Sequence, residues 1–312
     1  GGKTWKPLTN GLPVTKTTGR IGLDISKSNP AVVYAFVDNH DKKREPKKDE
    51  LDSYGRIKEI IVKGVEVYRS NDKGEHWTNM TENNDYMERL CGTYGWVMGQ
   101  MRVNPLDENC LYILGLAMAK SADGGKTWKP FKPVDTTSDY IHGDNHALWI
   151  DAADSNYIIN GDDGGVAVTY DGGNKWKNFY KDIPTTQFYN ITYDSKEPFN
   201  IIGSVQDEGS MMGSIKNTYG KKDTTINQWK FGPSGEGVIH AIDPGDANTI
   251  YTSSFYGRLI KANLALPDSL QERTIAPKRA EDEEAHRGEW LAFTRISPHK
   301  QANYLSWYAI LI

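Results

Sequence analysis

Short runs of alternating apolar residues recur along the chain. Each is broken by a polar turn and followed by a second apolar run. The copies are Ile21-Gly22-Leu23-Asp24 to Val32-Val33-Tyr34, Met101-Arg102-Val103-Asn104-Pro105 to Leu111-Tyr112-Ile113, and Leu148-Trp149-Ile150-Asp151 to Tyr157-Ile158-Ile159. They continue with Ile191-Thr192-Tyr193-Asp194 to Asn200-Ile201-Ile202, Ile239-His240-Ala241-Ile242-Asp243-Pro244 to Ile250-Tyr251, and Arg295-Ile296-Ser297-Pro298 to Tyr304-Leu305. A period of two is the signature of strands, and the polar breaks carry turn residues. From residue 104 onward the repeat returns every 43 to 54 residues or so, which suits four short strands per unit.

A second repeat runs in step with the first. Ser70-Asn71-Asp72-Lys73-Gly74-Glu75-His76-Trp77, Ser121-Ala122-Asp123-Gly124-Gly125-Lys126-Thr127-Trp128 and Thr169-Tyr170-Asp171-Gly172-Gly173-Asn174-Lys175-Trp176 share one spacing of Ser/Thr, Asp, Gly and Trp. Gly2-Lys3-Thr4-Trp5 matches the back half of a fourth copy. This is hairpin chemistry. The Asp carboxylate accepts backbone N–H groups two or three residues on, the Gly takes φ > 0, and the Trp packs over the turn. Asp72, Asp123 and Asp171, with Trp77, Trp128 and Trp176, are therefore read as structural.

Together the repeats predict an all-β fold: a β-propeller of four-stranded blades, about six of them, in one domain over residues 1–312. The chain starts inside a repeat and ends on the apolar run 305–312, so the sequence reads as part of a larger or double propeller. In one blade the strands are expected at 147–150, 157–160, 166–170 and 175–179. The polar run Asp41 to Glu50 is placed in a charged insertion at about 38–60. Residues at about 268–288 are read as a charged loop or short helix.

Composition narrows the function classes. The net charge is −4, and the lysines of the 41–50 run are interspersed with acids, so no nucleic-acid partner is implied. No apolar run is long enough for a membrane helix. Nine Trp and seventeen Tyr against eight Phe fit aromatic-lined turns or clefts. Cys91 and Cys110 fall toward opposite ends of a blade, too far apart for a disulfide.

Antiparallel order puts the first-to-second and third-to-fourth strand turns at one end of a blade, where the Asp repeats lie. The remaining connections collect at the opposite end, and they are rich in carboxylates, amides and aromatics. Candidate catalytic carboxylates there are Asp162, Asp163, Asp207 and Glu236. Candidate ligand-binding residues are Trp96, Asp144, His146, Gln206, Glu208, Tyr256, Arg258, Arg287 and Trp290. Asp162-Asp163-Gly164-Gly165 is also a good turn sequence by itself. His146 also fits a buried, hydrogen-bonding histidine. Asp144 and His146 alone are too few ligands for zinc, so neither a metal nor a cofactor is expected.

The Ser/Thr-x-Asp-x-Gly-x-x-Trp turns resemble the Asp-box, or BNR repeat, of sialidases, sortilin-like receptors and xyloglucanase-type glycoside hydrolases. Asp144-Asn145-His146-Ala147-Leu148-Trp149-Ile150-Asp151, Gly161-Asp162-Asp163-Gly164-Gly165-Val166, Gln206-Asp207-Glu208-Gly209 and Arg287-Gly288-Glu289-Trp290 are similar to segments of the bacterial sortilin-like, BNR-repeat glycosyl hydrolase group. That group tends to carry His where this chain has Asn145 and Asn where it has Glu208. The resemblance implies an exported protein, extracellular, cell-surface or periplasmic. It also implies a protein, peptide or glycan ligand on the end opposite the Asp-boxes, the rest of a larger chain or a second propeller being another partner. The alternative is a glycoside hydrolase with two carboxyls about 5 Å apart for retention or about 6.5–9.5 Å for inversion. In the xyloglucanase relatives the catalytic Asp residues come from two propellers.

Overall fold

The computed structural model describes residues 3–5, 7–8, 10–13, 15–51, 57–81, 87, 98–180, 186–215, 229–254, 258–275, 294–296 and 305–307. It forms two compact units, Gly1–Ile183 and Pro184–Ile312. Among the described residues five sheets have four strands each and a sixth has two. Every four-stranded sheet is antiparallel and follows chain order, which is the construction of a propeller blade.

The first unit holds three blades. They are β1–β4 (Thr18–Ile25, Val33–Arg44, Ile61–Ser70, Thr78–Asn79), β5–β8 (Gln100–Asn104, Asp107–Leu114, Ala119–Ser121, Lys129–Pro130) and β9–β12 (Asn145–Ile150, Ile158–Asp162, Gly165–Thr169, Lys177–Asn178). Their first strands lie in series, β1 beside β5 and β5 beside β9. The second strands are buried on both faces. Along β6, Leu111 and Ile113 face one core with Tyr34, Phe36, Val67 and Trp128. Cys110, Tyr112 and Leu114 face another with Phe131, Leu148, Ile158 and Trp176. That two-sided burial is why the second strands read as continuous apolar runs. A fully buried large side chain of this kind contributes about 1.5–3 kcal/mol.

The three repeat turns are built alike. The first-position hydroxyl donates to the Asp at 2.8, 2.8 and 2.9 Å in the turns of Asp72, Asp123 and Asp171. It accepts the N–H of Gly74, Gly125 or Gly173. Those glycines have φ of 93°, 94° and 99°, a region open to Gly. The Trp indole N–H donates back to the carbonyl of the same glycine. Asp72 and Asp171 accept the backbone N–H four residues on, and Asp123 accepts those three and four on. The expected spacing of three is met at Asp123, whereas the amide two residues on goes to the hydroxyl instead. The buried Trp then seals its blade against the one before, as Trp128 and Trp176 show.

Each repeat turn is also tied to the first hairpin of its own blade. Lys73 donates to the Ala31 carbonyl, Gly124 to Asn109 and Gly172 to Asn156, at 2.9, 2.9 and 3.0 Å. These contacts put both kinds of turn at one end, as the strand order requires.

The second unit holds β13–β16 (Phe188–Tyr193, Asn200–Val205, Gly209–Ser214, Lys230–Phe231) and β17–β20 (Ile239–Asp243, Asp246–Ser254, Arg258–Asn263, Glu272–Thr274). The pair β21 and β22 (Thr294–Ile296, Leu305–Trp307) follows at the sixth apolar repeat. Ile202, Met212, Ile250 and Ala262 form its core.

Strand boundaries depart from expectation in places. In the third blade the last strand is only Lys177–Asn178, because Trp176 leaves the sheet for the core. The polar run from Asp41 begins in strand, since β2 continues with bulges to Arg44. The helix α1 spans only Asp268–Gln271. Cys110 is a buried free thiol, and Cys91 lies outside the described residues. Among the described residues no helix is long and apolar enough to cross a membrane.

Candidate functional site

At the end opposite the repeat turns, the third blade gathers a polar cluster. Asp162 closes β10, and the turn to β11 folds around it. Its Oδ1 accepts the N–H of Gly164 and Gly165, both at 3.1 Å. Its Oδ2 accepts Asn160 Nδ2 at 2.9 Å and the Tyr180 hydroxyl at 2.8 Å. Four donors saturate one carboxylate that is 9% exposed. Burial still pushes its pKa above the ordinary carboxylate value, against the pull of Tyr180, His142 and the two amides. Asp162 is therefore a turn-former and at the same time a carboxyl with raised proton affinity.

Asp163, next in the turn, faces outward and pairs with His146 on β9, Asp163 Oδ1 to His146 Nε2 at 2.8 Å. That contact joins the entry of the first strand to the turn between the second and third, confirming that both lie at this end. Of the two sequence readings of His146, a ligand-binding residue or a buried histidine, burial does not hold: its side chain is 38% exposed and pairs with Asp163. Asn145 is the buried member of the run. Its amide donates to the Gly115 carbonyl at 3.2 Å and its Oδ1 accepts Asn160 at 2.9 Å, tying the third blade to the second. Asp144 begins the run with φ of 55°.

In the second unit a comparable cluster forms around Glu236. Its Oε1 accepts the Tyr189 hydroxyl at 3.0 Å and Gln206 Nε2 at 3.4 Å. Burial, the Glu236 hydrogen bond and the charges of Glu236 and Asp207 push the Tyr189 hydroxyl up to about 12. It is a donor at any physiological pH. Asp207 has φ of 60°, and its Oδ2 is buried without a hydrogen-bond partner. Glu208 is exposed beside it, and Arg258 is exposed at the start of β19.

The structure thus brings His146 together with Asp163, and Gln206 together with Glu236. Trp96, Tyr256, Arg287 and Trp290 lie outside the described residues. Sequence reasoning missed Asn160, Tyr180 and Tyr189. Tyr180 follows the last strand and gives no local signal of its reach to Asp162. Tyr189 reads as an ordinary strand aromatic.

The fold and these clusters define a β-propeller protein with scaffold turns at one blade end and hydrogen-bonded carboxylates at the other. No protein-family model matches the chain, and no curated protein sequence matches it. Among solved structures it is similar to a GH74 enzyme from Niastella koreensis, at 14% identity over 83% of this chain and 38% of that one, with a TM-score of 0.35. It is similar to YCF48 from Cyanidioschyzon merolae, at 14% identity over 84% of this chain and 73% of that one, with a TM-score of 0.34. YCF48 bound to a D1 peptide is also similar, at 12% identity, 85% and 84% coverage and a TM-score of 0.28. The chain spans well under half the length of the GH74 enzyme.

Proposed function

We propose that this protein is a binding propeller that captures a peptide or protein ligand at the blade ends opposite the repeat turns. One observation carries the reading: in each of the two units a carboxylate at the blade ends is fixed by neighbouring side chains. Asp163 is held by His146, and Glu236 by Tyr189 and Gln206. Such preorganisation suits recognition, since the polar groups are ordered before the ligand arrives. The repeat turns are Asp-boxes in this reading, a view supported by their shared hydroxyl, glycine and indole hydrogen bonds. The sequence resemblance supports an exported protein.

A hydrolase is the second reading, favoured by Asp162. A buried carboxyl with raised proton affinity is what a general acid requires. Peptide-display selection on the full chain, with calorimetry of recovered peptides, separates the two. Binding that is lost in Asp163→Asn or Glu236→Gln, with no reducing sugar released from xyloglucan or other β-glucans, is expected. Sugar release abolished by Asp162→Ala would replace the binding reading with the enzyme.

A further inference from the structure

The connection that carries Glu236 rests on a buried polar hub. Gly235 offers its carbonyl to two hydroxyls, Ser210 Oγ at 3.1 Å and Ser204 Oγ at 3.4 Å. Beneath them His240 Nε2 lies 3.1 Å from Ser210 Oγ and 3.3 Å from the Pro233 carbonyl. Ser204, Ser210 and His240 are 0%, 1% and 4% exposed.

The tautomer follows from these partners. A carbonyl only accepts, so the Pro233 contact needs a proton on Nε2, and the Ser210 hydrogen is then left for Gly235. His240 Nε2 must therefore carry the proton, which leaves Nδ1 as a bare acceptor. That Nδ1 is buried and has no hydrogen-bond partner. Directly across the sheet from His240 stands Thr252, fully buried, whose Oγ1 also lacks a partner. Opposed residues of an antiparallel pair project from the same face with Cβ atoms about 5 Å apart. Two orphaned polar atoms on adjacent buried side chains would each carry a desolvation cost.

We propose that a single internal water binds between His240 Nδ1 and Thr252 Oγ1, and that this water makes His240 the positioning residue of the Glu236 connection. The water donates to Nδ1 and exchanges a hydrogen bond with the threonine hydroxyl. The imidazole is then locked with Nε2–H toward Ser210 and Pro233, and the 233–237 connection is held in the form that presents Glu236 to Tyr189. Ser234 and Gly237 in that connection have φ of 65° and 64°. A non-glycine residue in the left-handed region persists only where its surroundings hold it. The ligand role of Glu236 rests on the reading above, whereas the water site does not.

The test uses the whole 312-residue chain and needs no ligand. Imidazole nitrogen NMR with water cross-relaxation is recorded for the native protein, Thr252→Val and Thr252→Ser. The expected native result is the Nε2–H tautomer with a water contact at the His240 ring. Thr252→Val loses that contact, and the amides of 232 and 234–238 exchange about tenfold faster. Thr252→Ser, which keeps the hydroxyl, retains the water contact and the slow exchange. A native ring with no water contact would overturn the proposal, as would Thr252→Val amides exchanging at the native rate. Loss of peptide binding in Glu236→Gln with the His240 water intact bears on Glu236 alone, so the two readings fail separately.

Discussion

Two aspartates of the third blade, Asp171 and Asp162, do the same local job in opposite surroundings. Each closes a turn by accepting backbone amides. Asp171 is exposed, and the Lys175 amide that it accepts, with the Thr169 hydroxyl, holds its pKa below the ordinary value. Asp162 is 9% exposed, and burial outweighs four donors to raise its pKa. The same hydrogen-bonding motif thus yields a carboxyl of lowered proton affinity at one end and one of raised proton affinity at the other. Desolvation, not turn geometry, separates the two ends.

The largest effect that sharpens this comparison belongs to the scaffold. Trp176, 1% exposed, packs edge-on to Phe131 at 5.8 Å. Trp176→Ala is expected to cost about 3–5 kcal/mol in urea unfolding. Tyr170→Ala, one residue before Asp171, exposed and stacked on Tyr157 at 5.0 Å, should cost no more than about 1.5 kcal/mol.

Next comes acid. His240 is buried neutral, and burial lowers its pKa from 6.5 to about 4. The unfolded chain therefore takes up a proton that the folded one refuses. Stability from this group is complete above pH 6.5 and falls as pH drops toward 4, by about 3 kcal/mol in all. In His240→Gln that loss should vanish from the pH dependence of the unfolding free energy.

Asp162→Ala should cost about 1–3 kcal/mol, because the Tyr180 hydroxyl hydrogen and one of the two bonds of the buried Asn160 amide lose their acceptor. The two aspartates also titrate with opposite signs. The contribution of Asp171 is present above its unfolded pKa of 3.8 and is lost as pH falls through its lower folded value. Asp162, raised above 3.8, favours the folded state more as pH falls through its folded value. Carboxyl carbon NMR would break the comparison if both titrated on the same side of 3.8.

The smallest effect is at the rim. Asp163→Asn should change stability by no more than about 1 kcal/mol, since Asp163 and His146 are 26% and 38% exposed. Peptide binding should fall while the melting temperature holds.

The repeat turns were legible in the sequence because their chemistry is local. Hydroxyl, carboxylate, glycine and indole all lie within eight residues, and the Ser121 to Trp128 copy declares every one. The strand order followed from that period, and with it the end of the blade where Asp163 and His146 meet. What stayed hidden depends on burial and on distant partners. Tyr180 reaches Asp162 across an entire strand and its turn. His240 looks like any polar residue in an alternating strand until Ser210 and Thr252 are seen beside it. Asn145, a departure from the pattern of the resembling group, proves to be a buried link to Gly115 and Asn160.

Amide shift mapping with a selected peptide tests the separation of the two blade ends most directly. Perturbations confined to residues 144–146, 162–165, 206–209 or 234–237, with 70–77, 121–128 and 169–176 unmoved, are predicted. Perturbations centred on Asp72, Asp123 or Asp171 would contradict it.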